Sequence, residues 1–454
     1  MRRAAAAVSA HRAVILAIVT GAALLVIALW LLLHGDDEQR RPATAAPLAK
    51  AAKGADDFVD SVGVNVHLGY ADTPYGRHDI VEKKLRDLGI RYIRDGLSPG
   101  QPEVHRAWRA LASHGIRVDL IAGDPLRRFG TGPLEDQLAI VKRDLRGAVA
   151  SLEGPNEYDI QGDPHWPATL RAYQRDLYQQ VKSDPSLAGI PVLGPTVVHP
   201  ESREQLGDIS RWLDYGNLHP YPGGLPPDRD SLVKQELAWA AQNAGSKPIQ
   251  ATETGYHNAL KSGESHKSAT ERAAGVYIPR LYLDDFRRGI ARTFVYELVD
   301  ERPDASRENS EASFGLLRND FSEKPAFVAV KRLIALLGDP GPPFKPDQLA
   351  YSVQGAPSSL RQVLLEKRNG SFYLVLWNAV SVWDPAAVKP IDPKDAAVRL
   401  VFTEPVQSVE IYRPNRSGRP LDRQSNVRSL TVSVSADIAV VKITPGGNRR
   451  PSPE

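Results

Sequence analysis

From Asp57 onward the chain alternates between short β-branched runs, apolar at nearly every position, and longer stretches in which apolar residues recur every three to four positions. Short continuous apolar runs are the pattern of strands covered on both faces, and the longer spacing is that of helices with one apolar face. Eight strands follow: Ser61–His67, Ile90–Arg94, Ile116–Ile121, Ala150–Gly154, Pro191–Gly194, Tyr215–Leu218, Pro248–Thr252 and Thr293–Leu298. Between them lie helical segments at His78–Leu88, Pro102–His114, Leu134–Val149, Pro167–Lys182, Asp228–Asn243 and Ala269–Arg288, with a last one at Lys324–Leu337. Strand-then-helix units repeated over residues 57–338 predict an α/β fold, a (β/α)8 or TIM barrel. An open doubly wound sheet would carry a glycine-rich phosphate turn after its first strand, and the sequence there, VGVNVHLGY, has none.

The texture changes after Gly338. DPGPPFKPDQ is a proline-rich linker over 339–348, and beyond it strand-like alternation recurs at Leu360–Glu366, Ser371–Trp377, Ala397–Phe402, Val406–Tyr412 and Ile438–Ile443. These predict a C-terminal β-sandwich over 349–445, followed by a polar tail, 446–454. Its simplest role is to cover the barrel; a second is to bind carbohydrate through Trp377 or Trp383.

At the other end, Ala13–Leu33 reads AVILAIVTGAALLVIALWLLL, uncharged and mostly apolar. As a helix it would span about 30 Å, the thickness of a bilayer core. It is longer than the apolar segment of a cleavable signal peptide and lacks a small-residue cleavage site at its end, so the expectation is a transmembrane signal anchor over 13–33. Arg2, Arg3 and Arg12 precede it and Asp36, Asp37 and Glu38 follow, which puts residues 1–12 in the cytoplasm. A linker, 34–56, then leads to domains outside the cytoplasm, in the periplasm or at the cell surface.

Charge adds exclusions. The chain carries 57 Lys+Arg against 54 Asp+Glu, and three of the arginines precede the anchor, so the remainder is balanced and carries no nucleic-acid footprint. There is no cysteine, which removes disulfides, thiolate metal sites and a cysteine nucleophile. The 11 histidines show no metal-ligand spacing on a helix face, so neither a metal nor a cofactor is expected. Gly96–Gly100 fits G-x-S-x-G, but Pro99 supplies no N–H for an oxyanion hole.

In a barrel of this type the reacting groups stand where strands end at one rim. Glu157, in SLEGPNEYD, follows the fourth strand and Glu253, in IQATETGY, ends the seventh. Closure brings both to the same rim, and two facing carboxyl groups are what glycosidic bond cleavage requires: one protonates the leaving oxygen while the other attacks or activates water. Glu153 has the same strand parity but lies deeper, where it should pair with a cation of the barrel.

Through these residues the sequence resembles clan A of the glycoside hydrolases, retaining (β/α)8 enzymes, and most of all family 39 and bacterial exopolysaccharide hydrolases. The resemblance implies that Glu157, in Asn156-Glu157, is the acid/base and Glu253 the nucleophile. It implies that Tyr221, in HPYP (His219–Pro222), hydrogen-bonds the nucleophile and that Arg94 keeps it ionised. His67, Asn156 and His219 are expected to contact sugar, Asn156 through the 2-hydroxyl. Tyr158, Trp166, Tyr256 and Tyr296 follow strand ends and could stack on sugar faces. Two positions depart from the clan: Tyr158 replaces a common Pro, and Tyr296 stands where a Trp platform is usual. The expected partners are thus an oligo- or polysaccharide substrate and the membrane. The competing expectation is a non-catalytic glycan-binding or polysaccharide-assembly protein on the same scaffold.

Overall fold

The computed structural model describes residues 47–97 and 99–446. Eight parallel strands, Val62–Asn65, Tyr92–Gly96, Arg117–Ile121, Val149–Glu153, Val192–Leu193, Gly216–Leu218, Ile249–Thr254 and Arg292–Val295, pair in chain order, and the last returns to the first. The seam between the fifth and sixth is closed by a parallel bridge, Leu193 to Tyr215, with the Gly194 N–H donating to the Tyr215 carbonyl at 2.9 Å. The result is a (β/α)8 barrel. Its strands are buried almost throughout, which is why they read as continuous apolar runs rather than alternating ones. Gly63 is required on the first strand, since a Cβ there would stand 2.4 Å from the Phe294 ring on the eighth.

Helices His78–Leu88, Pro102–Ser113, Leu134–Asp144, Trp166–Ser183, Asp230–Ala244, Glu271–Arg288 and Pro325–Leu337 clothe the barrel, within a few residues of the sequence expectation. One connection differs. The segment between the fifth and sixth strands holds a short helix, Pro200–Leu206, that the pattern did not mark.

The C-terminal part is a single eight-stranded sheet folded over its own core rather than two separate layers. Ala397–Phe402 and Val406–Tyr412 are one strand, Ala396–Tyr412, whose register shifts between Val401 and Val406, around Pro405. Its first half pairs with Gln348–Gln354, its second with Ala439–Thr444, and Asp422–Val434 runs along its other edge. Two strands come from the N-terminal side. Leu48–Ala51 pairs antiparallel with Gln348–Gln354, and Lys53–Gly54 pairs parallel with Leu360–Glu366. The stretch expected to be the end of a 34–56 linker is therefore part of the sheet.

The sheet buries both faces of its central strand, Phe372–Asn378. Phe372, Leu374 and Leu376 fill the sheet's own core, while Tyr373, Val375 and Trp377 join the core of the barrel. Trp377 is fully buried and its indole N–H donates to Asp228 at 2.6 Å; Trp383 is 3% exposed and donates to the Ser268 carbonyl. Neither ring is available to carbohydrate. Asp228 also receives two bonds from buried Arg280, at 2.9 and 2.5 Å, and Arg280 donates to the Val380 carbonyl, so one buried ion pair joins barrel and sheet.

Among the described residues no helix is long and apolar enough to cross a membrane. The expected anchor, 13–33, lies outside the described residues, as do residues 1–12 and 447–454.

Candidate active site

The C-terminal rim of the barrel opens into a cavity of about 610 Å³. Its floor is organised by Arg94, at the middle of the second strand and only 2% exposed. Arg94 donates from Nε and Nη2 to the two carboxyl oxygens of Glu153, both at 2.7 Å. Nη1 donates to Asn65 at 3.0 Å and to Glu253 Oε1 at 2.6 Å, and Nη2 also to Asn156 Oδ1 at 2.7 Å. All five N–H groups of the guanidinium are thus committed to the first, fourth and seventh strands and the loop after the fourth.

Glu253 is held from both sides. Its other oxygen accepts the Tyr221 hydroxyl at 2.9 Å and lies 3.7 Å from His219 Nδ1. Burial pushes the Glu253 carboxyl up, but His219, the Arg94 charge and hydrogen bond, and the Tyr221 hydroxyl outweigh it and hold the group down at about 2.

Glu157 comes to the same point from an unusual backbone. Its φ of 43° and ψ of 48° put it in the left-handed region, a conformation costing a non-glycine residue roughly 1–3 kcal/mol. Its N–H donates to Thr196 Oγ1 at 3.0 Å, and its carboxyl Oε1 lies 2.8 Å from His219 Nδ1. One oxygen of Glu157, one of Glu253 and a ring nitrogen of His219 lie within 4.8 Å of one another. The far side of the His219 ring meets Thr252 Oγ1 at 3.1 Å, which in turn donates to Asn217.

Aromatic rings form one wall. His67 lies flat against Tyr70, centroids 4.7 Å apart, and its Nε2 meets the Tyr296 hydroxyl at 3.2 Å. Burial lowers the His67 imidazole to about 4, Glu253 opposing and Arg94 adding to the effect, so it is neutral at pH 7. Asp95, beneath the floor, is driven up to about 7 by burial, against hydrogen bonds from Gly96, Trp108 and Leu68. Gly123 passes so close to Tyr173 that a Cβ would overlap its hydroxyl, and its φ of +94° also calls for glycine.

Of the residues expected from sequence, Glu157, Glu253, His67, Arg94, Asn156, Tyr158, Tyr221 and Tyr296 line the cavity, and His219 stands behind the carboxyl pair. Arg94 is too buried and too fully bonded to be a sugar contact; it acts on Glu253. Tyr158 is 1% exposed, with its hydroxyl donated to Asp163. Two expectations fail. Tyr256 is buried at 1% exposure beside Tyr277, donating to the Leu225 carbonyl, and Trp166, half-buried at the start of its helix, packs against the cluster that includes Leu206 and Ile209. Both follow strand ends, but Tyr256 turns into the core and Trp166 lies half-buried away from the cavity. Glu153 pairs with Arg94 as its depth suggested. Missed were Tyr70, Asp124, Arg128, Glu264, His266, Glu311 and Phe314, which come from long rim loops without periodicity. Asn65, the last residue of the first strand, had a usable signal: a polar side chain in an apolar run.

A closed parallel barrel with facing carboxyl groups at its rim, and a β-sheet domain packed on its side, defines the architectural class. Among solved structures of that class, the chain is similar to a family 39 glycoside hydrolase from Bacteroides cellulosilyticus WH2, at TM-score 0.59 and 15% identity, covering 86% of this chain and 82% of that one. It is similar to a glucosidase from Croceicoccus marinus, at TM-score 0.59 and 12% identity over 88% and 98% of the two chains. A family 39 β-xylosidase from Caulobacter crescentus gives TM-score 0.56 and 15% identity over 89% and 98%. The likeness to these structures is one of fold. No protein-family model matches it, and no curated protein does.

Proposed function

We propose that the protein is a retaining glycoside hydrolase. The observation that carries this reading is the meeting of Glu157 and Glu253, with carboxyl oxygens within 4.8 Å of one another. Retaining enzymes hold their carboxyl groups about 5–5.5 Å apart, inverting ones about 6.5–9.5 Å, since the latter must admit a water between carboxylate and sugar. The family 39-like fold supports the same assignment.

In the first step ionised Glu253 attacks the anomeric carbon, the glycosidic C–O bond breaks, and the departing oxygen takes the proton of Glu157. In the second, Glu157 removes a proton from water as its oxygen attacks the same carbon, and the Glu253 carboxylate leaves. Arg94 and Tyr221 keep Glu253 charged and fixed for the attack. With the Asn156 oxygen held by Arg94, its NH2 group is turned to donate to a sugar hydroxyl. His67, Tyr70 and Tyr296 supply the wall on which a ring stacks. The substrate class is an extracytoplasmic polysaccharide or cell-envelope glycan, which rests on the apolar 13–33 segment acting as an anchor with the barrel outside the cytoplasm.

The test is incubation with a polysaccharide panel of wild type, Glu157→Gln and Glu253→Gln. Wild type is expected to release product, and each variant to lose roughly 10²–10⁴-fold or more in kcat. Proton NMR of the first product should show the anomeric configuration of the substrate. Binding of a glycan by all three proteins without turnover would overturn the proposal in favour of a non-catalytic glycan-binding role.

A further inference from the structure

A second constellation lies beside the cavity, on the side of the first and eighth strands. Glu297 follows the eighth strand and is fully buried; its Oε2 accepts the Tyr75 hydroxyl at 2.7 Å and lies 3.6 Å from His67 Nε2. Its other oxygen, Oε1, is buried with no hydrogen-bond partner. An orphaned carboxylate oxygen in the interior is costly, because the water it gives up on folding is not replaced. Glu301, half-buried, comes within the same space: one oxygen of each glutamate and a nitrogen of His67 lie within 4.8 Å of one another. Among the described residues no lysine or arginine pairs with Glu297 or Glu301. The adjacent Arg302 turns away to Asp72, at 2.6 Å.

We propose that His67, Glu297 and Glu301 bind a divalent cation of the Zn²⁺ or Mn²⁺ type at the edge of the sugar pocket. One imidazole and two carboxylates form a mixed nitrogen and oxygen donor set suited to such ions. The supporting contacts orient the ligands: Tyr75 fixes Glu297, and Tyr70 stacks on the His67 ring. Glu301, being partly exposed, gives an ion a way in. The trio Glu157, His219 and Glu253 is equally compact, but there the Arg94 guanidinium lies 2.6 Å from Glu253 and would repel a second cation. His67 stands more than two hundred positions before Glu297 and Glu301, so no local spacing marks the group.

The test is binding, not turnover, so it stands apart from the glycosidase assignment. Full-length protein stripped with EDTA is titrated calorimetrically with ZnCl₂ and with MnCl₂, and its thermal unfolding is followed with and without metal. One equivalent is expected to bind and raise Tm. The dissociation constant should rise at least tenfold in Glu301→Gln and in Glu297→Gln and stay unchanged in Glu157→Gln. Co²⁺ should give a visible d–d absorption in wild type that disappears in Glu301→Gln, whose partly exposed side chain makes it the variant that keeps the fold. Absence of binding to wild type would overturn the proposal, as would binding lost in Glu157→Gln but kept in Glu301→Gln, which would put the ion in the sugar pocket.

Discussion

Tyr221 does its work through a single hydrogen bond to Glu253. With the Glu253 carboxyl held at about 2, the group stays ionised well below the usual carboxylate range. Tyr221→Phe removes one of the contacts that favour the charged form, so the pKa of Glu253 should move up. On the proposed mechanism, which needs Glu253 ionised, the acid limb of kcat/KM is then expected to shift to higher pH. A drop of roughly tenfold to a hundredfold in kcat should accompany it, since the hydroxyl also orients the carboxylate. A pH-rate profile of the two proteins checks both; an unmoved acid limb would mean that Arg94 and His219 alone set the ionisation.

At the scale of elements, the first two strands of the described chain complete a sheet whose other strands all follow the barrel. Leu48–Ala51 and Lys53–Gly54 are strands of the C-terminal sheet, reached before the barrel begins. A chain starting at residue 57 is expected to be less stable than one starting at residue 47 by a few kcal/mol, at about 0.5–1.5 kcal/mol for each backbone hydrogen bond lost. Urea unfolding of the two chains measures the difference. These strands were unreadable in sequence because AKAAKG has the composition of a tether and its strand character comes entirely from the partner edge. The barrel strands were legible for the opposite reason: burial on both faces demands apolar residues whatever the neighbours. Asp422–Val434 stayed hidden because its first half is exposed, with polar residues on both faces. Ala397–Phe402 and Val406–Tyr412 read as two strands because Thr403–Pro405 interrupts the apolar alternation, but the interruption shifts the register without ending the strand. In the site, Glu157, Glu253, Arg94 and Tyr221 were readable because each sits at a countable distance from a strand end. Glu264, Glu311 and Phe314 were not, because the rim loops that carry them follow no period. Tyr256 and Trp166 misled for a related reason: a position after a strand end does not say whether a loop turns outward or back into the core.

For the molecule as a whole, barrel and sheet are fastened where Arg280, Asp228 and Trp377 meet in the interior. Removing one partner of a buried ion pair strands the other, at a cost of about 3–5 kcal/mol. Arg280→Met is therefore expected to lower stability by that amount, and a calorimetric trace that splits into two transitions would report separate melting of barrel and sheet. An unchanged melting temperature would contradict the role given to this pair. Arg94 acts as a comparable fastener inside the barrel, with every donor spent across three strands and a loop. Its removal would unfasten those staves as well as the Glu253 carboxylate they carry. A genetic screen for inactive mutants would consequently record Arg94 changes as proteins that never accumulate, so the arginine most tightly bound to the chemistry would be filed among the residues needed merely to exist.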